Sequence, residues 1–127
     1  MDANKCRLNP LSNRIIGCAL KVQHILGTGF LEKVYQNALA HELRKAGLRV
    51  TQQHSMIVTY DNIVVGEYVA DLLVEDVVLV ELKAVRALDE IHFAQCLNYL
   101  KATATKLCLL MNFGTPRLQI KRFVLDL

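Results

Sequence analysis

A chain of 127 residues, 53% of them apolar, with 15 basic and 12 acidic side chains for a formal charge of +3, has the size of one domain and enough apolar mass to fill one continuous core. No apolar run reaches the ~18 residues of a membrane span, because charges interrupt every long stretch. Met1 to Pro10 mixes Asp2, Lys5 and Arg7 with polar residues and has no apolar segment ahead of a cleavage site, which points to a cytoplasmic protein. Cys6, Cys18, Cys96 and Cys108 contain no CxxC spacing and read as reduced thiols. The apolar content leaves surface for a homodimer or a larger assembly.

Residues 1–11 read as an N-terminal arm. From Ser12 to Leu26 the residues Ile15, Ile16, Ala19, Val22, Ile25 and Leu26 recur at helical spacing, and Gly27-Thr28-Gly29 then breaks the helix. A second helix follows, with Gly29 as its N-cap; its predicted buried stripe is Leu31, Val34, Tyr35, Ala38, Leu39 and Leu43, and Lys45 and Gly47 mark its end. Past Gly47 the chain turns to β-branched residues in short runs, Leu48 to Tyr60, Ile63 to Val74 and Val77 to Ala84. Asp61-Asn62 and Glu75-Asp76 are the turns of an antiparallel meander. A third helix is predicted from Asp89, as N-cap, to Ala102, with Ala94, Leu97 and Leu100 inward. Leu107 to Phe113 reads as a buried strand and Leu118 to Val124 as an edge strand. The order ααβββαββ implies an α/β fold bordering on α+β, with a mixed sheet flanked by helices.

Three charged residues stand in or beside apolar strands, where charge is costly. Asp71 lies between Val69-Ala70 and Leu72-Leu73. Glu81 and Lys83 end the run Val77-Val78-Leu79-Val80 and share one face of their strand by period two. Buried carboxylates repel unless a cation holds them, and oxygen ligands on neighbouring strands suit Mg²⁺ or Mn²⁺. Lys83 would then stabilise charge beside the metal. A two-residue loop at Glu75-Asp76 would set Asp71 opposite Val80 and turn the two acids to opposite faces. An irregular turn pairing 74 with 78, and so 71 with 81, is therefore predicted. The alternative for Glu81 and Lys83 is an ion pair at an exposed strand end.

Asp71, followed after a short hairpin by Glu81-Leu82-Lys83, resembles the D…(E)xK core of the PD-(D/E)XK nuclease superfamily. Gly29-Phe30-Leu31-Glu32-Lys33-Val34-Tyr35 is similar to the GxxExxY signature of a family of small proteins within it, as are Gly66-Glu67-Tyr68-Val69-Ala70-Asp71 and Asn112-Phe113-Gly114. The resemblance spans about Arg14 to Val124 and implies a restriction-endonuclease-like core. It implies Asp71 and Glu81 as metal ligands and Glu32 as a third ligand or a supporting group, with Tyr35 orienting it. At the third position of a helix capped by Gly29, Glu32 would equally serve the helix N-terminus. Gln95 and Tyr99, spaced i, i+4 one turn past His92, resemble the QxxxY motif of an exonuclease branch; they also fit a polar helix face on the sheet rim.

The resemblance implies a metal-dependent nuclease acting on nucleic acid, DNA being favoured. Setting Glu32, Asp71 and Glu81 aside, nine acids face 15 basic residues, a balance suited to a phosphate backbone. Lys33, Arg86, Lys101 and Lys106 are the candidate contacts. A catalytically silent binding module and a subunit active only within an assembly are the other readings. His24, His41 and His54 lack a metal-site spacing, and neither a phosphate-binding lysine loop nor a GxSxG elbow is present.

Overall fold

The computed structural model describes residues 3–125. Its elements are α1 (Ala3–Leu26), α2 (Glu32–Lys45), β1 (Val50–Tyr60), β2 (Ile63–Val74), β3 (Val78–Lys83), α3 (Glu90–Thr103), β4 (Leu107–Asn112) and β5 (Gln119–Val124). The strands form one sheet in the order β1-β2-β3-β4-β5. β3 and β4 are parallel and the other neighbours antiparallel, which makes α3 the crossover that a parallel pair requires. This is the mixed, helix-flanked sheet of a restriction-endonuclease-like fold, in α+β form.

Two clusters fill the faces of the sheet. Ile15, Ala19, Tyr35, Leu39 and Leu43 of α1 and α2 pack against Leu72, Val74, Val80, Leu82, Leu109, Met111 and Phe113. On the other side Cys96, Tyr99 and Leu100 of α3 pack against Met56, Ala70, Leu79, Cys108 and Leu110. Strands β3 and β4 are covered on both faces, which explains their continuous apolar runs.

The register of β2 on β3 follows the prediction. Val74 faces Val78, Leu73 faces Leu79 and Leu72 faces Val80, and the three-residue connection holds Glu75 and Asp76 at φ 52° and 58°. β1 and β2 continue as a two-stranded arm past the end of that ladder. Asp61 and Asn62 close it with φ 55° and 63°, the twist that a two-residue hairpin needs.

Several local expectations are corrected. α1 begins at Ala3 rather than Ser12, so the described part of the expected arm is helical and Pro10 lies inside the helix. β5 holds this stretch at two points, its Arg122 donating to Ser12 Oγ (3.0 Å) and Asn9 Oδ1 (2.6 Å). α2 is capped at Leu31, without a side-chain cap, so Glu32 is its first residue and Gly29, at φ 106°, belongs to the preceding loop. The helix buries Tyr35, Gln36, Leu39, Ala40 and Leu43, while Leu31 and Val34 face outward. On α3, Ala94 and Leu97 are exposed, and Cys96 and Tyr99 point inward beside Leu100. The face that turns inward is the one that packs on Leu79 of β3 and Cys108 and Leu110 of β4.

Candidate active site

The site forms where β2 parts from β3. Past Leu72↔Val80 the backbone ladder stops, and side chains take over its hydrogen bonds. The amide of Asp71 donates to Glu81 Oε1 (3.0 Å), and the amide of Leu82 donates to Asp71 Oδ2 (2.8 Å). Asp71 and Glu81 are thus brought together across the split, each carboxylate satisfying the other strand.

Burial and mutual repulsion dominate their electrostatics. Glu81 is 3% exposed; burial first, and the charge of Asp71 second, push its carboxyl up to about 8. Asp71 is also raised, chiefly by burial, although the Leu82 amide and the Lys83 ammonium pull the other way. Two hard oxygen donors forced together in a dry place form a set that a divalent cation fits. Glu32 stands at the rim. Its Oε1 accepts from the amide of Ala84 (3.4 Å), and its charge bears on Asp71. Among the described residues no three His, Cys, Asp or Glu side chains gather around one point, so the close donor set is the Asp71–Glu81 pair.

Lys83 follows on the same face of β3, in parallel register with Asn112 of β4. Asn112 is fully buried and fastens the loop behind Lys83. It accepts from Val85 N (3.0 Å) and Gly114 N (2.9 Å) and donates to Val85 O (2.9 Å) and Gln119 Oε1 (2.9 Å). Gly114 is required by the same loop, because a Cβ there would lie 2.3 Å from the carbonyl oxygen of Val85.

Tyr35 does not orient Glu32. Its hydroxyl donates to Gly27 O (2.6 Å) and accepts from Phe30 N (3.2 Å), and its ring stacks on Phe113 at 4.8 Å. It closes the loop that delivers Glu32. On α3, Gln95 Nε2 donates to Tyr99 Oη (2.8 Å). Burial, then the charge of Glu81, push the Tyr99 hydroxyl up to about 12, which places the tyrosine beside the carboxylate pair as a neutral phenol. His92 serves as the cap of α3, its Nδ1 accepting from Asp89 N (3.1 Å).

The four basic candidates separate. Lys33 lies on α2 near enough to Asp71 to lower its pKa, and Arg86 is exposed in the loop after Lys83. Lys101 lines a shallow groove of about 400 Å³ with Tyr68 and Asn98, under the arm. Lys106 sits at the opposite end of the sheet, in a cavity of about 580 Å³ with Arg14 and Arg49, and does not share the site. Sequence reading missed Gln36 and Gln53, which touch Asp71 directly or through one another; the φ of Gln53 and the burial of Gln36 have no signature in residue type.

No curated protein matches the sequence. In solved structures, the crystal structure of an alkaline exonuclease (LHK-Exo) from Laribacter hongkongensis matches with a TM-score of 0.54 at 17% identity, covering 99% of this chain and 73% of that one. At that identity the likeness is one of fold. A family model described as PD-(D/E)XK nuclease superfamily matches residues 9–123, a span that contains Glu32, Asp71, Glu81 and Lys83 and nearly all of the sheet. The chain belongs to the PD-(D/E)XK nuclease superfamily.

Proposed function

We propose that the protein hydrolyses phosphodiester bonds of DNA with the help of Mg²⁺ or Mn²⁺, and that within its superfamily it belongs with the small GxxExxY proteins. The observation that carries this reading is the exchange of hydrogen bonds between Asp71 and Glu81 at the end of the β2–β3 ladder, with Lys83 next on the strand. A carboxylate as buried as Glu81, and pushed up to about 8, favours either a proton or a cation.

Asp71 and Glu81 would hold the ion, with Glu32 supplementing them from the rim. A bound divalent cation supplies Lewis-acid polarisation of a phosphoryl oxygen and acidifies a coordinated water. Lys83 presents an ammonium to the oxygens on which charge develops, where a fixed cation in a dry site is most effective. Tyr99, neutral at physiological pH, donates or accepts a hydrogen bond beside Glu81 and is held by Gln95. Lys33 and Arg86 lie on the side of Lys83 and are suited to neighbouring phosphates.

The test is cleavage of labelled single-stranded, duplex and branched DNA with Mn²⁺ or Mg²⁺, by the wild type and by Lys83→Ala matched for folding. Cleavage abolished by both the substitution and a chelator supports the reading. A folded wild type that cleaves none of the panel with metal present overturns it, in favour of a binding module or a subunit that needs a partner.

A further inference from the structure

Gln36 looks in sequence like an ordinary polar helix residue, yet it is 5% exposed. Its side chain makes four hydrogen bonds, the full capacity of a primary amide. Nε2 donates to Gln53 Oε1 (2.9 Å) and to Asp71 Oδ1 (3.3 Å). Oε1 accepts from Lys33 Nζ (3.0 Å) and Gln52 Nε2 (3.1 Å).

Gln53 is unusual in its backbone. The β1–β2 register places it opposite Asp71, between Gln52↔Leu72 and His54↔Ala70, but its φ is 56°. The left-handed region is disfavoured for glutamine, and in mid-strand it persists only where surrounding contacts enforce it. The side chain of Gln53 is held here by the bond from Gln36. The packing changes hands at the same point: Leu72 belongs to the α1/α2 cluster and Ala70 to the α3 cluster, although strict alternation would put both on one face.

We propose that Gln36 and Gln53 are positioning residues for Asp71, an inference that rests on the reading of Asp71 as a cation ligand. Leu82 N holds Oδ2 of that carboxylate and Gln36 holds Oδ1, which restrains rotation about its Cβ–Cγ bond and would keep the carboxylate in one orientation for a bound ion. Lys33 closes the relay. One of its three N–H groups is engaged by Gln36; among the described residues the other two have no hydrogen-bond partner, and a phosphate taken there would link substrate contact to the orientation of Asp71.

Two variants test this. Gln36→Leu keeps the bulk and removes the amide. Gln53→Gly relieves the backbone, because glycine adopts a positive φ freely, and removes the partner of Gln36. The readouts are Mn²⁺ affinity by titration calorimetry and, without metal, hydrogen exchange of the Leu82 amide by NMR.

The expected result is Gln53→Gly with a thermal midpoint at or above wild type, together with Mn²⁺ affinity reduced about 10-fold or more in both variants and faster Leu82 exchange. A merely structural role would give the same or higher midpoint with affinity and exchange unchanged, and that overturns the proposal. If Gln36→Leu does not fold, Gln53→Gly decides alone. A wild type that binds no Mn²⁺ removes the metal reading by itself; faster Leu82 exchange in the variants then still supports the positioning role, and unchanged exchange overturns it.

Discussion

Asp71 and Glu81 hold each other's strands. The amide of Asp71 is bound by Glu81, and the carboxylate of Asp71 binds the amide that follows Glu81. The acids therefore replace two ladder hydrogen bonds at the point where β2 and β3 diverge, so deleting either side chain disturbs the strands together with the proposed chemistry.

Asp71→Ala should consequently cost stability as well as activity. It leaves the Leu82 amide without an acceptor, a loss of about 1–3 kcal/mol for a buried group. Asp71→Asn retains an oxygen for that amide and should lose less than Asp71→Ala, while both lose metal-dependent cleavage. Urea denaturation of the two variants beside the wild type checks the order.

The stability of the metal-free protein should fall with rising pH. Glu81 titrates at about 8 when folded, against an ordinary 4.5. Between those values the folded chain keeps a proton that the unfolded chain has released, so stability is full below pH 4.5, declines through the window and levels off above about 8. The raised Asp71 acts in the same direction. Glu81→Gln, which keeps an oxygen for the Asp71 amide, should show a flatter thermal midpoint across this range. Saturating Mn²⁺ should raise the wild-type midpoint and leave that variant nearly unchanged.

Gly114→Ala should be among the most damaging single-methyl additions. The new Cβ would meet the Val85 carbonyl oxygen at 2.3 Å and the Val85 nitrogen at 2.4 Å, both backbone atoms. The neighbour cannot rotate away, so the loop behind Lys83 must shift, at a cost on the order of 1–3 kcal/mol or more. Cleavage should fall further than stability, and a control at Gly17, where a Cβ meets nothing within 4 Å, should leave cleavage intact.

The basic residues should differ in their salt dependence. Removing Lys33 or Arg86 should weaken DNA binding and lower the slope of log affinity against log salt by about one unit. Lys106→Ala should leave the slope unchanged, because Lys106 adjoins Leu107, which pairs with Val78 at the other end of β3 from Lys83. Fluorescence anisotropy at a series of salt concentrations distinguishes the two cases.

The sheet was legible because its residues alternate or run continuously apolar, and the Val74–Val78 register followed from one requirement, that Asp71 and Glu81 reach the same ion. Glu81 and Lys83 were visible as charges in an apolar strand. What the sequence hid were features decided by distant contacts. The extension of α1 back through Pro10 to Ala3 has no periodic signal in residues 1–11, and Arg122 of β5 meets it at Asn9 and Ser12. Tyr35 belongs to a recognisable motif, yet its role in holding Gly27 and Phe30 depends on a loop conformation that residue types do not specify. Gln36 is polar by residue type, and its burial depends on partners that approach from β1 and β2, Gln52, Gln53 and Asp71.

Asn112 and Gly114 govern the loop behind Lys83 from 27 or more residues downstream. During synthesis from the N-terminus, the acids and the lysine emerge first and the clasp that arranges them emerges later. A nascent chain that stops before β4 has the charged side chains but no fixed geometry among them. Competence for chemistry would thus wait for β4 and the turn after it to join the sheet, after the hairpin and the first two helices have had time to form.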